Sequence, residues 1–91
     1  MLYAWIGFLK PGADQIPPSL QEAATDFLRQ PLISILAAGP LRDASGTRAG
    51  MMMIFEHDSR DAAEKLVANS PFLRGGLYED HRLYEFDNEV G

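Results

Sequence analysis

The segment Leu2–Leu9, LYAWIGFL, is apolar on both of the faces that an extended chain presents. Its length is that of a strand, and Lys10-Pro11-Gly12 closes it with a turn signal. Side chains alternate across a strand, so Leu2, Ala4, Ile6 and Phe8 point one way, while Tyr3, Trp5 and Leu9 point the other, with Gly7 beside them. Such a strand needs cover on both sides. A chain of 91 residues makes one domain with a thin core. Cover that its own elements do not supply must come from a second molecule or a ligand.

The remaining elements follow from periodicity and breakers. PGADQIPPS reads as a linker, and Ser19 with Glu22 forms an S-x-x-E capping box that opens a helix. Leu20, Ala23, Ala24, Phe27 and Leu28 form its apolar stripe, and Pro31 ends it. A second strand is expected over Leu32–Ala38, a turn-rich connection over Gly39–Gly50, and a third strand over Met51–Glu56. Asp58 or Ser59 caps a second helix with the stripe Ala62, Ala63, Leu66 and Val67. Pro71–Arg74 has the makings of one more helical turn. Leu77–Phe86 is the final strand, and residues 87–91 are a flexible tail to a single domain spanning 1–91.

The order β-α-β-β-α-β with right-handed crossovers gives an α+β, ferredoxin-like fold, a four-stranded antiparallel sheet with both helices on one face. The first three strands are apolar on both sides, so the uncovered face is expected to hold residues such as Tyr3, Trp5 and alternate methionines. A patch of that size calls for sheet-to-sheet homodimerisation; a ligand filling the same face is the alternative.

Charge and composition exclude several classes of function. Thirteen acidic residues outnumber eight basic ones, giving a net charge of −5, and the basic residues are scattered along the chain. Nucleic-acid binding, which needs a clustered basic surface, is not expected. No apolar run approaches the roughly 20 residues of a membrane span, and MLYAWIGFLK has no basic leader, so a cytoplasmic protein without membrane contact is expected. The absence of cysteine removes thiolate chemistry and thiolate metal sites. His57 and His81 lie far apart in sequence and form no metal-ligand spacing. There is no phosphate loop, dinucleotide fingerprint or nucleophile elbow, and no cofactor is expected.

Four stretches together resemble the YCII-related family: LYAWIGF, ILAAGPLRDASG, MMMIFEHDSRDAAEKL and ANSPFLRGGLYEDHRLYEF. The last of these is similar to that family's DPF…aGL(Y/F)E signature, with Ser70 in place of the aspartate. The resemblance implies a dimeric α+β barrel in which two sheets pack face to face. It also implies an active-site pair, a histidine on the first helix and an aspartate after the second strand; one branch includes a dehydrochlorinase acting on a chlorinated hydroxyquinol. Asp43 matches the aspartate. The helix pattern R-x-x-H-L-x-Y-L falls on Gln21–Leu28, so Ala24 stands where the histidine would be and Gln21 where the arginine would be. A methyl group moves no proton.

Asp43 therefore has two readings: a turn residue bonding its own backbone, or a carboxylate at the mouth of a pocket near Arg42 or Arg48. His81 is the candidate partner should proton transfer survive. Tyr3, Trp5, Arg42 and Tyr78 are the candidate ligand-binding residues, although the aromatic side chains serve equally as interface anchors. The leading functional reading is a small-molecule-binding or degenerate family member. Two others stay open: a lyase or isomerase using Asp43 with His81 or a tyrosine, and a structural or accessory homodimer.

Overall fold

The computed structural model describes residues 1–13 and 16–90. Asp14 and Gln15 of the expected linker, and Gly91 of the expected tail, lie outside them. The elements run β1 (Leu2–Leu9), α1 (Pro18–Arg29), β2 (Ile35–Arg42), β3 (Arg48–Glu56), α2 (Arg60–Ala68), α3 (Pro71–Arg74) and β4 (Tyr78–Glu85). The strands form one antiparallel sheet in the order β2-β3-β1-β4, so the two most apolar strands are central. This is the ferredoxin-like arrangement that the element order implies. No helix among the described residues is long and apolar enough to cross a membrane.

Tyr3 and Trp5 are 1% and 0% exposed, and with Met51, Met53 and Phe55 they form the core under the helices. Alpha helices α1 and α2 supply Ala24, Phe27, Leu28, Ala63 and Val67 to the same core. The expectation that Tyr3 and Trp5 lie on the uncovered face is thus corrected. Alternation sorts β1 into two sets but does not say which set meets the helices. The large rings fill the closed layer, where Trp5 stacks on Phe72 at 5.5 Å and Tyr3 lies 6.0 Å from Phe55. The open face instead carries Leu2, Ala4, Ile6 and Phe8; Ala4 and Ile6 pair with Ile54 and Met52 on one side and with Tyr84 and Arg82 on the other, while Leu2 pairs with Glu56 and Phe8 with Gly50 and Asp80 towards the ends. It remains largely apolar.

Three local expectations also change. Helix α1 starts on Pro18 at its first turn, with no side-chain cap, so the Ser19–Glu22 capping box does not form. Strand β2 starts at Ile35, not Leu32, because the Gln30 side chain takes the backbone in between. Its Oε1 accepts from Leu32 N and Ile33 N at 2.8 Å each, and its Nε2 donates to Ile33 O at 3.0 Å. The strand then runs on through Gly39 and Pro40 into the expected connection. Pro40 is tolerated because β2 is an edge strand. Between the candidate caps of α2, Ser59 is used: its Oγ accepts from Ala62 N at 3.1 Å.

Two small residues fix close approaches. A Cβ on Gly50 would sit 2.2 Å from Gly7 O, so only glycine lets β1 and β3 pair there. Ser70 is fully buried and donates its Oγ to Val67 O at 2.6 Å, closing the end of α2. An ionised aspartate, the residue usual in the family signature, has no proton to give that carbonyl.

Candidate functional site

Helix α1, the β2–β3 half of the sheet and α3 enclose a cleft of about 250 Å³. Its walls are mostly apolar: Leu20, Ala24 and Leu28 from α1, Met51 from β3, and Phe72 from α3. Polar groups enter from two places. Gln21 and Thr25 line it from the helix, and Arg48 and Tyr78 line it from the sheet. Among the described residues no carboxylate lines it.

Arg48 and Tyr78 reach the cleft through irregularities in the sheet. Strict alternation from Met51 would send Arg48 to the open face. The pairing jumps from Leu41–Gly50 to Arg42–Arg48, leaving Ala49 as an extra residue, and Arg48 turns to the helix side. Likewise the pairing jumps from Phe8–Asp80 to Leu9–Tyr78, leaving Glu79 extra, and Tyr78 turns to the helix side as well. Gly7 leaves room for it, since a Cβ there would meet the Tyr78 ring at 2.8 Å.

Arg48 Nε is the buried side-chain nitrogen or oxygen that has no hydrogen-bond partner among the described residues. Leaving such a donor unmet costs about 1–3 kcal/mol. Among the described residues Arg48 forms no ion pair either; the pairs there are Arg60–Glu64 and Arg82–Asp80, both at the surface. Burial pushes the Tyr78 phenol above its usual pKa, and the positive Arg48 beside it pulls the other way.

Of the residues singled out from the sequence, the structure brings Tyr78 to the cleft. Tyr3 is sealed in the core, its hydroxyl donating to Met1 Sδ at 3.6 Å. Trp5 stacks behind Phe72 and meets Tyr78 edge-on at 5.4 Å, so it backs the cleft wall without lining it. Trp5 Nε1 donates to His81 Nδ1 at 3.1 Å, which occupies that imidazole nitrogen. Arg42 lies at the hairpin, where its Nη1 donates to Gly46 O at 3.1 Å.

Asp43 is also in the hairpin. Its Oδ1 accepts from Ser45 N at 2.9 Å, from Ser45 Oγ at 2.6 Å and from Thr47 N at 3.0 Å. Gly46, with φ +86°, completes the turn by donating its N–H to Asp43 O at 3.0 Å. These bonds, the Ser45 hydroxyl foremost, lower the Asp43 pKa below the usual carboxylate value. A carboxylate with a depressed folded-state pKa contributes stability above its unfolded value, about 3.9, and loses it as pH falls through the folded value. Asp43→Asn should therefore lower the urea midpoint at pH 7, with the gap from wild type closing in acid below that range. A midpoint gap that stays constant with pH would show that the hairpin does not depend on the charge.

The model of the YCII-related domain matches residues 1–87. The chain belongs to the YCII-related family. Among solved structures it is similar to 5-chloro-2-hydroxyhydroquinone dehydrochlorinase from Burkholderia phenoliruptrix AC1100, in complex with 2,5-dihydroxybenzoquinone. That match has 24% identity and a TM-score of 0.82, covering 96% of this chain and 94% of that one. An antibiotic biosynthesis monooxygenase is similar at 23% identity and TM-score 0.56, covering 99% and 100%. SnoaB, a cofactor-independent oxygenase from Streptomyces nogalater, is similar at 16% identity and TM-score 0.51, covering 98% and 94%. At these identities the likeness concerns the fold. No curated protein matches the sequence.

Proposed function

We propose that this YCII-related protein binds a small ring-shaped molecule in the α1–sheet cleft and lacks the helix-borne half of the acid–base pair. The observation that carries the reading is the position of Ala24. The residue matching the helix histidine of the sequence resemblance lines an apolar cleft and brings only a methyl group to it. General acid–base catalysis needs a titratable group within hydrogen-bond reach of the reacting atom. Asp43 and His81, on which an enzymatic reading would rest, do not line this cleft, and Asp43 Oδ1 is taken up by the hairpin and His81 Nδ1 by Trp5. The cleft volume, about 250 Å³, is just below the usual range for small-molecule sites and suits a single ring. That the similar dehydrochlorinase was solved with a one-ring quinone supports this size class. The working unit of the proposal is a homodimer joined through the open sheet face, whose Leu2, Ala4, Ile6, Met52 and Ile54 have no helix over them.

Methyl-resolved NMR titration with 2,5-dihydroxybenzoquinone and with phenol tests the binding reading. The signals of Ala24, Leu28 and Met51 should move together and saturate, with neither probe turned over. Ala24→Leu should remove the response by filling the cleft while leaving the fold intact. Saturable shifts elsewhere, or turnover by the wild type, would sink the proposal.

A further inference from the structure

The charge inside the cleft narrows the ligand class, an inference that rests on the binding reading above. A guanidinium stays charged at every pH at which the protein is folded, and it presents its Nε–H and a neighbouring Nη–H as a side-on fork. In this chain Arg48 lines the cleft with its Nε buried and unpartnered among the described residues, and none of the described lining residues carries a negative charge. Tyr78 lines the same space, and burial keeps its phenol protonated, leaving its O–H as a second donor. Apart from Gln21 and Thr25 on α1, the rest of the wall is mostly apolar and offers an organic ring the contacts of Leu20, Leu28, Met51 and Phe72. The net charge of −5 works against attraction of anions at long range, so recognition of an acid must come from this local pair.

We infer that the cleft takes a ring-sized carboxylic acid, its carboxylate on the Arg48 fork and the Tyr78 hydroxyl, its ring on the apolar wall. The side-on fork matches the two oxygens of a carboxylate, as it does not match a single phenolic oxygen. Arg48 and Tyr78, which line the same cleft, then share one anionic group.

Benzoate, benzamide and phenol separate the terms, because benzamide keeps the shape of benzoate without its charge. Binding is read in the wild type by calorimetry and by the methyl signals of Ala24, Leu28 and Met51. Benzoate should bind at least tenfold more tightly than either neutral probe. Arg48→Gln should bring benzoate down to the benzamide level and leave benzamide unchanged. Tyr78→Phe should weaken benzoate by a smaller factor. If benzamide or phenol binds as tightly as benzoate in the wild type, the carboxylate inference is overturned while cleft binding stands. If none of the three moves the cleft methyl signals at millimolar concentration, both fail. The wild-type comparison does not depend on either variant folding.

Discussion

Trp5→Ala should destabilise the protein by about 3–5 kcal/mol, the range for removing a large aromatic side chain from a packed interior. The ring is fully buried on the central strand β1, stacked on Phe72, edge-on to Tyr78, and tilted against His81 at 6.1 Å. Phe72 in turn meets Phe27 of α1 edge-on at 5.7 Å, so one side chain ties the sheet to both α3 and α1. Losing it opens a void that these rings fill only in part. Trp5→Phe gives the comparison. It keeps an aromatic ring and gives up the bond to His81, whose net worth is about 0.5–1.5 kcal/mol. It should therefore cost much less than the alanine variant. Urea unfolding at one fixed protein concentration measures both, since any coupling to association shifts the midpoint. A cost below about 1 kcal/mol for Trp5→Ala would mean that the aromatic layer closes over the gap, contrary to the interior-packing expectation. Because Trp5 backs Phe72 and Tyr78, the same variant should also loosen the cleft wall.

The elements and their order are legible in the sequence because they rest on local rules. Apolar runs, Pro31, the Pro11-Gly12 turn and the Ser59 cap act over a few residues. The candidate site is legible only in part, and two kinds of non-local information account for the gap. The first is the choice of face. Leu2–Leu9 is apolar on both sides, so nothing within it says that Tyr3 and Trp5 lie beneath the helices while Ile6 and Phe8 do not. The second is register. Arg48 and Tyr78 each arrive at the cleft by a one-residue irregularity against a neighbouring strand, and strict alternation assigns both to the opposite face. A bulge has no signature in its own strand here; it appears only once the partner is aligned. Gln30 illustrates the same limit. Its side-chain amide holds Leu32 and Ile33 away from the sheet, although both residues look like strand. Asp43 lies at the other extreme: Asp-Ala-Ser-Gly encodes a turn locally, and its carboxylate is used there.

Ile54→Lys should convert the proposed homodimer to a monomer, with a dissociation constant raised about 10²- to 10⁴-fold. Four strands of eight or nine residues cover about 19 by 26 Å at ordinary strand spacing and rise. Two such faces together bury on the order of 1,000 Å², the lower bound for a specific interface. Ile54 lies on β3 opposite Ala4 of β1 and Ala37 of β2, so it stands among small neighbours at the middle of the face. Burying an isoleucine side chain is worth about 1.5–3 kcal/mol. Two-fold symmetry makes each substitution count twice, giving about 3–6 kcal/mol before any repulsion between the two ammonium groups. Phe8 and Tyr84, 43% and 54% exposed in the single chain, border the same face and should become protected with it. Sedimentation equilibrium of wild type, Ile54→Lys and a control on the exposed surface of α2, Ala68→Lys, separates the cases. The wild type and the control should sediment as dimers, and Ile54→Lys as a folded monomer with lower urea resistance. If the wild type is already monomeric at the highest attainable concentration, the open face needs a different occupant. If Ile54→Lys stays dimeric, the chains associate through another surface, and the argument from the two-faced strand no longer identifies where.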